Sequence, residues 1–337
     1  MNVLYYLFCV SCMISETFGL MFGMGGLDLN PLRCMWRRQP YECPHEDVRF
    51  HLYTPRVRHG IEVDIMRPST FRAAGFIPQH ETCLLVHGFN GTQRSKHIRY
   101  LIDAYIHREF NVIAIDWEAV SAYPCYLSSL SNTRLVAQCS AQLYSFVTYL
   151  GTNPKNIVCV GHSLGAHICG MISNHLTKKQ YKIIGLDPAS PIVERHLSHR
   201  FRLTRDDARV VQIIHTNAGV LGQEAASGSI DFCINGGRNQ PFCHGLPLRR
   251  ARCSHFLSVC FLANSMFKHK KWVGVPCPKG CVANNRFPFF LSKFYDVDDR
   301  GVAQIPTREY KIGQDTPDDH TGIYCIKVDH AKNCPFQ

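Results

Sequence analysis

The chain has 337 residues, of which 45% are hydrophobic and 19% are charged, and its formal net charge is +11. This composition favours a folded globular protein over a disordered or coiled-coil one, and no internal repeat divides the chain. The positive charge suggests attraction to anionic surfaces. Its densest cluster, Lys268 to Lys271, has no nucleic-acid-binding motif around it. We therefore interpret the cluster as a solvated patch and expect no nucleic-acid partner.

The first nineteen residues are typical of a secretory signal peptide. A mostly apolar run from Val3 to Ile14 precedes a small and polar stretch that ends at Gly19. This run is too short to span a bilayer, and no later segment reaches that length, so no transmembrane anchor is expected. We predict a cleaved signal at 1–19 and a single domain over 20–337. A buried N-terminal helix is the alternative, because the segment lacks a basic start.

Seventeen cysteines favour an oxidising, extracellular location for the protein. Loss of Cys9 and Cys12 with the signal would leave an odd number, so at least one thiol would stay unpaired or bond another chain. Cys83 and Cys159 lie inside apolar, strand-like runs. We expect both to be buried free thiols that act as small hydrophobes.

Between residues 82 and 215, short apolar runs alternate with longer amphipathic segments. In chain order the runs are TCLLVHGF, NVIAIDW, NIVCVGHS, KIIGLDP and VVQIIHT. One intervening segment, Thr133 to Leu150, has its apolar residues at helical spacing. Continuous apolar strands separated by helix-length segments predict a mostly parallel sheet with helices on both faces.

After Thr216 the pattern loosens into glycine-rich turns that carry several cysteines. We expect this part to be rich in loops and crosslinked. A helix-like stretch from Ser254 to Met266 would pack back on the sheet, which favours one domain over two.

The stretch NIVCVGHSLGAHICG places Ser163 between two glycines, Gly161 and Gly165, after an apolar strand and before a helical pattern. This is the G-x-S-x-G motif in the strand-turn-helix context of an α/β-hydrolase nucleophile elbow. The glycines allow strand and helix to approach closely, and the strained turn exposes the serine hydroxyl. Ser163 is therefore the candidate nucleophile.

A serine nucleophile needs a base and an acid, which follow it in the order Asp, His in this fold. Asp187 ends the strand KIIGLD, and such strand ends are where open α/β sheets build their sites. Asp206 and Asp207 lie in a charged turn, where we expect solvated carboxylates.

Eight histidines follow Asp187: His196, His199, His215, His244, His255, His269, His320 and His330. His215 ends a strand, which makes it the strongest rival on position. His255 opens a helix-like run directly after Cys253, so a crosslink could fix its approach. The residues alone leave the base open between them.

An oxyanion hole needs two backbone amides aimed at the developing negative charge. The residue after the nucleophile, Leu164, would supply one, and Phe89 in the turn after TCLLVHG would supply the other. The same turn contains a glycosylation sequon, Asn90-Gly91-Thr92, although crowding beside the oxyanion loop argues against a glycan there.

Taken together, LLVHGFNGT, AIDW, VCVGHSLGAH, IIGLDPASP, VVQIIHTN, DFCINGGRNQPFC and CSHFLSVCFLANS closely resemble the pancreatic lipase family. The likeness is greatest to its arthropod secreted lipases and venom phospholipases A1. The resemblance implies an α/β-hydrolase fold and a triad of Ser163, Asp187 and His255. It also implies Phe89 and Leu164 as the oxyanion-hole donors.

Three departures from the vertebrate members bear on the substrate. Because the chain ends near residue 337, we expect no counterpart of their C-terminal β-sandwich and no colipase-like partner. The family's disulfide-bounded lid corresponds to Cys243 and Cys253, which enclose only HGLPLRRAR, with Arg249, Arg250 and Arg252 as candidate headgroup contacts. The wall loop, residues 217–230, also looks shortened. By resemblance, a short lid and a short wall imply a phospholipase A1.

The family's calcium loop corresponds to FRLTRDDAR. Asp207 lines up with one acidic ligand, but Thr204 and His199 stand where others would be. Calcium prefers more oxygen ligands than remain, so we expect no metal and no other cofactor.

The sequence therefore predicts a secreted serine esterase that acts on lipid at a membrane or aggregate surface. A phospholipase A1 is favoured over a triacylglycerol or galactolipid lipase. A non-catalytic lipid-binding protein is the alternative from another class, and the complete set of three catalytic residue types argues against it. The oligomeric state stays open.

Overall fold

The computed structural model describes residues 34, 41–267, 272–277, 280–281, 310–319, 321–328 and 334. The expected signal peptide and the basic cluster at 268–271 lie outside the described residues.

The described residues form a sheet of eleven strands. They are β1 (Arg49–Tyr53), β2 (Ile61–Val63), β3 (Thr82–Val86), β4 (Asn111–Asp116), β5 (Ile157–His162), β6 (Gln180–Leu186), β7 (Ala208–His215), β8 (Ile230–Ile234), β9 (Val273–Pro276), β10 (Tyr310–Lys311) and β11 (Gly322–Ile326). Their spatial order is β10-β9-β11-β8-β7-β6-β5-β3-β4-β1-β2. The strands from β4 to β11 in this order pair in parallel, and both edges are antiparallel.

The α-helices of the described residues are α1 (Pro68–Ala73), α2 (Lys96–His107), α3 (Tyr126–Tyr149), α4 (Leu164–Ile172), α5 (Val193–His196) and α6 (Pro247–Phe267). Short 3₁₀ segments lie at Glu118–Val120, Pro154–Asn156, Ser173–His175 and His199–Phe201. Within the described residues, no helix is both long and apolar enough to cross a bilayer.

Two hydrophobic cores lie on the two faces of the sheet. Alternate strand residues such as Leu84 and Ile183 face α1, α3 and α4 on one side. Their neighbours, such as Leu85 and Ile184, face α2 and α6 on the other. Burial of both faces explains why the central strands are continuous apolar runs. The fold predicted from the sequence, a mostly parallel sheet with helices on both faces, is confirmed.

The region after Thr216 differs from the loop-rich expectation. Residues Ile230–Ile234 form a fully buried strand that pairs in parallel with β7 and with β11. Glycine-rich turns on both sides and the charged Asp231 within it conceal this five-residue strand in the sequence. The predicted helix at Ser254 begins earlier, at Pro247, and α3 begins at Tyr126 rather than Thr133.

The expectation for Cys159 is wrong, whereas Cys83 is a buried free thiol as expected. Cys159 bonds Cys169, because the chain turns back after β5 and α4 brings Cys169 over the strand. The described residues contain six further disulfides: Cys34–Cys125, Cys43–Cys139, Cys233–Cys281, Cys243–Cys253, Cys260–Cys334 and Cys277–Cys325. So many crosslinks are typical of extracellular proteins.

Candidate active site

Ser163 occupies the sharp turn between β5 and α4. Its backbone φ is 58° and ψ is −121°, a conformation that non-glycine residues rarely adopt. A Cβ on Gly161 would lie 2.2 Å from the carbonyl oxygen of Gly165, and a Cβ on Gly165 would lie 2.2 Å from that of Val86. Only glycine fits at either position, so the motif produces a turn that displays Ser163.

Asp187 follows β6, the strand next to β5, and its side chain is fully buried. Its Oδ1 accepts hydrogen bonds from the amides of Thr216 at 2.8 Å and Asn217 at 2.9 Å. A Cβ on Gly222 would lie 2.5 Å from the carboxylate, so the wall loop closes directly over it. The short wall loop thus fixes the orientation of the candidate acid.

His255 lies on α6, and its side chain contacts Asp187. Its Nδ1 is 2.6 Å from Asp187 Oδ2, and its side chain is almost fully buried. Because Nδ1 donates to the carboxylate, Nε2 is the nitrogen that can accept a proton. Ser163 and His255 are both described residues, and Ser163 Oγ makes no hydrogen bond to His255. Such bonds between nucleophile and base are often long in ligand-free enzymes and shorten when substrate binds.

His215, the rival base, binds a different carboxylate. Its Nε2 lies 2.8 Å from Asp231 Oδ1, and both side chains are buried. Burial alone would lower the pKa of His215, but the hydrogen bond and charge of Asp231 outweigh it and raise that pKa. His215 directly precedes Thr216, so the pair supports the segment that binds Asp187.

The loop that carries Phe89 packs directly on the nucleophile turn. A Cβ on Gly88 would lie 2.7 Å from Ser163 Cβ and 3.3 Å from Ser163 Oγ. The amide of Asn90 is bonded to Ser121, whereas the amide of Phe89 has no backbone acceptor among the described residues. The ring of Phe89 stacks edge-on against Tyr126 at 5.2 Å. Leu164 opens α4, so both predicted donors lie beside Ser163.

A cluster of neutral histidines surrounds the site, and sequence reasoning missed it. The ring of His162 is 4.5 Å from that of His255, and His97 lies 4.5 Å from Phe256. Burial, together with the charges of neighbouring histidines, lowers the pKa of His162 well below its usual value and that of His97 to about 3. His162 could have been found from the sequence, because it lies inside the G-x-S-x-G motif. Nothing in the sequence around His97 indicated that it would lie near the site.

The segment between Cys243 and Cys253 is not a separate flap. The disulfide closes it, and from Pro247 it already forms the first turns of α6, the helix that carries His255. Arg249 and Arg250 are exposed there. Arg252 is also exposed and stacks over the ring of Phe256 at 5.8 Å.

The predicted calcium loop holds its carboxylate internally. Asp207 is half-buried rather than solvated as expected, and its Oδ2 accepts the amide of Thr204 at 2.7 Å. Burial raises the pKa of Asp207 to about 6, although the bonds from Thr204 oppose the rise. Asp206 is exposed, as expected. Three cysteine sulfurs, Cys233, Cys277 and Cys325, lie within 4.8 Å of one another, but all are in disulfides.

The sheet and helices are those of an α/β-hydrolase, and a strained serine turn beside an aspartate bound to a histidine is the arrangement expected at the active site of that class. Several known proteins are similar to this chain in sequence. Phospholipase A1 VesT1.02 of Vespa tropica is 34% identical over 219 residues, which are 60% of this chain and 71% of that protein. A phospholipase A1 of Vespula maculifrons is 35% identical over 210 residues, 58% of this chain and 68% of that protein.

The pancreatic triacylglycerol lipase of Sus scrofa is 28% identical over 290 residues, which are 78% of this chain and 62% of that protein. The family model described as Lipase matches residues 28–283. The chain therefore belongs to the lipase family, the family that includes the pancreatic lipases, and is a carboxylic ester hydrolase that acts on lipids.

Proposed function

We propose that the protein is a secreted phospholipase A1, which cleaves the sn-1 acyl ester of glycerophospholipids. One observation carries the choice of substrate: the lid segment is short, tied by Cys243–Cys253 and continuous with α6. Such a segment offers no large apolar flap for a neutral-lipid surface, and it leaves room for a polar headgroup. The two wasp relatives, both called phospholipase A1, support the choice.

In the proposed mechanism, Ser163 Oγ attacks the ester carbonyl carbon while its proton moves to Nε2 of His255. Asp187 accepts the hydrogen bond from Nδ1 and stabilises the resulting imidazolium. The amides of Phe89 and Leu164 bind the tetrahedral oxyanion. His255 then protonates the departing lysophospholipid oxygen, which leaves an acyl-enzyme ester on Ser163.

Water completes the cycle in the same site. His255 removes a proton from water, which attacks the acyl-enzyme carbonyl. The second tetrahedral intermediate collapses as His255 returns this proton to the departing Ser163 Oγ, and the fatty acid leaves. The closed contact of the wall loop over Asp187 keeps the acid fixed through both steps.

Headgroup recognition is proposed for the start of α6. Arg249 and Arg250 are exposed on the lid segment, six and five residues before His255, so their Cα atoms lie about 9 and 7.5 Å from it along the axis of α6. Arg252 stacks on Phe256, which in turn contacts His162. We expect Arg249 and Arg250 to bind the phosphate and Arg252 to stabilise the position of Phe256.

The test is a parallel assay on three lipid classes. Purified protein is given phospholipid with distinguishable sn-1 and sn-2 chains, triacylglycerol, and galactolipid. We expect release of the sn-1 chain at the highest rate. Faster hydrolysis of triacylglycerol or galactolipid would favour the second candidate, a neutral-lipid lipase, to which the pancreatic lipase relative points. Release of only the sn-2 chain would contradict both.

A further inference from the structure

Asn90 begins the sequon Asn90-Gly91-Thr92, and the full sequence contains no other Asn-x-Ser or Asn-x-Thr. The residue is exposed in the structure, at the tip of the turn that follows β3. Its φ of 53° is the left-handed conformation that asparagine tolerates. The crowding expected from the sequence is therefore absent at the side chain itself.

Within the described part of the chain, the hydrogen bonds of Asn90 use its main-chain amide and its side-chain oxygen, and none uses its side-chain nitrogen. The backbone amide of Asn90 donates to the carbonyl of Ser121 at 2.8 Å, which fixes the main chain. The side-chain Oδ1 accepts the amide of Tyr123 at 3.3 Å, so Nδ2 lies on the opposite side of the carboxamide. Thr92 Oγ1 donates to Asp116, which keeps the sequon threonine turned inward.

Asn90 also lies close to the reacting serine. Gly88, two residues earlier, packs against Ser163, and two peptide units span at most about 7.6 Å between Cα atoms. A group attached to Nδ2 would therefore stand at the rim of the site. Asn90 directly follows the proposed oxyanion-hole donor Phe89, and its own side chain has no assigned part in the reaction.

From these observations we propose that Asn90 carries an N-linked glycan that restricts access of lipid aggregates to the site. The proposal requires passage through the secretory route, which the seven disulfides favour. Its second half also rests on the proposed hydrolysis of lipid at a surface.

The modification is a transfer from a lipid-linked pyrophosphate oligosaccharide. A bond forms between Nδ2 of Asn90 and the anomeric carbon of N-acetylglucosamine. The bond from that carbon to the pyrophosphate oxygen breaks, and the pyrophosphate leaves with the electron pair. The amide proton passes to a base of the transferase.

A hydrophilic glycan at this rim affects large and small substrates differently. To deliver an acyl chain from an aggregate, the rim must approach the lipid surface, and a solvated oligosaccharide keeps the two apart. A short soluble ester diffuses past it. The glycan should therefore lower activity on vesicles and leave hydrolysis of the small ester unchanged.

The first experiment locates the glycan. Protein secreted from insect cells is digested, and the peptide that contains Asn90 is analysed by mass spectrometry before and after amidase deglycosylation in ¹⁸O water. We expect a hexosamine-containing peptide in which deglycosylation converts Asn90 to an ¹⁸O-labelled aspartate, and a smaller protein from Asn90→Gln. An unmodified Asn90 peptide as the dominant species would overturn the proposal.

The second experiment tests the effect of the glycan. Cells treated to retain high-mannose glycans supply protein that endoglycosidase H trims to a single N-acetylglucosamine, which keeps residue 90 an uncharged amide. We expect trimming to raise the rate on phospholipid vesicles several-fold while the rate on a short soluble ester stays constant. Equal rates on vesicles before and after trimming would overturn the access role. An inactive short-ester assay would count against the proposed chemistry instead.

Discussion

His162 donates its Nε2 hydrogen to the carbonyl oxygen of His255 over 3.2 Å. The residue before the predicted nucleophile thereby holds the main chain of the predicted base. Because Nε2 must donate here, and burial lowers the pKa of His162 far below its usual value, the ring is neutral. A neutral ring 4.5 Å from His255 does not repel the imidazolium that forms during catalysis.

We expect His162→Leu to lower kcat on a short soluble ester by about tenfold to a hundredfold, because His255 would lose its alignment. KM should change little, since the side chain of His162 is buried. His162→Gln keeps an N–H donor and should recover much of the loss. The measurement is steady-state kinetics at fixed folded-protein concentration. Equal losses in the two variants would contradict a role for the hydrogen bond.

The second prediction concerns the triad. A fluorophosphonate probe should label the native protein at Ser163, and Ser163→Ala should abolish labelling and lower kcat by several orders of magnitude. His255→Ala should cost about as much, since nucleophile and base act as a unit. Absence of labelling in folded wild-type protein would favour a lipid-binding protein.

His215 provides the control for that assignment. His215→Asn should lower stability, because Asp231 would remain buried without the imidazole that hydrogen-bonds to it. Activity per mole of folded protein, measured by active-site titration, should fall much less than in His255→Ala. The opposite order of losses would identify His215 as the base.

The sequence predicted the elements that chemistry constrains most strongly. Gly161 and Gly165 are needed by a turn of fixed geometry, so Ser163 could be proposed as the nucleophile from the sequence alone. The base could not be chosen from the sequence alone, because His215 ends a predicted strand and His255 begins a predicted helix. Only the fold shows that the nearest carboxylate to His215 is Asp231, whereas His255 reaches Asp187.

The failures have physical causes too. Cys159 and Cys83 occupy similar apolar strands, but they face opposite sides of the sheet, and only Cys159 meets a cysteine on a helix. Asp207 looked solvated because its neighbours in sequence are charged. Asp207 is half-buried because the turn folds back so that its side chain packs against Thr204 and α4, and the spacing of apolar residues in the sequence does not show this contact.

The third prediction is acid destabilisation by buried histidines. Burial lowers the pKa of His167 to about 4, and its ring accepts the amide of Leu203 and donates to the carbonyl of Ala189. The folded state keeps this ring neutral, whereas the unfolded chain binds a proton below its usual pKa. Stability should therefore fall as the pH drops from about 6.5 towards 4, by about 1.4 kcal/mol per pH unit for each such histidine.

His97 and His162 should steepen the same slope, since burial lowers the pKa of both rings. The measurement is the free energy of unfolding in guanidinium chloride, with disulfides intact, between pH 7 and pH 4.5. In His167→Gln, the free energy of unfolding should fall less steeply with decreasing pH, by about 1.4 kcal/mol per pH unit, the contribution of one histidine. A slope that is unchanged by this substitution would show that His167 is protonated in the folded state.

The last prediction concerns substrate. Arg249 and Arg250 are exposed on the lid segment. A hydrogen bond to a charged group contributes about 1.5–3 kcal/mol when it is shielded from water, and solvent screening should make each phosphate contact here weaker than that. We expect Arg249→Gln with Arg250→Gln to lower kcat/KM on anionic phospholipid vesicles by about threefold to tenfold. Hydrolysis of a short soluble ester should stay nearly constant, and added salt should reproduce the loss in the wild type.

A matched control removes the same charge elsewhere. Lys178 and Lys179 are exposed just before β6, whereas Asp187 follows that strand, so the lysines lie at the opposite edge of the sheet. Lys178→Gln with Lys179→Gln should leave vesicle hydrolysis close to the wild-type rate. Equal losses in both double variants would mean that net charge, rather than a local phosphate contact, attracts the protein to the membrane. Loss of both activities in the arginine variant would instead mean that these side chains support the position of His255, because the lid segment and α6 are one continuous element.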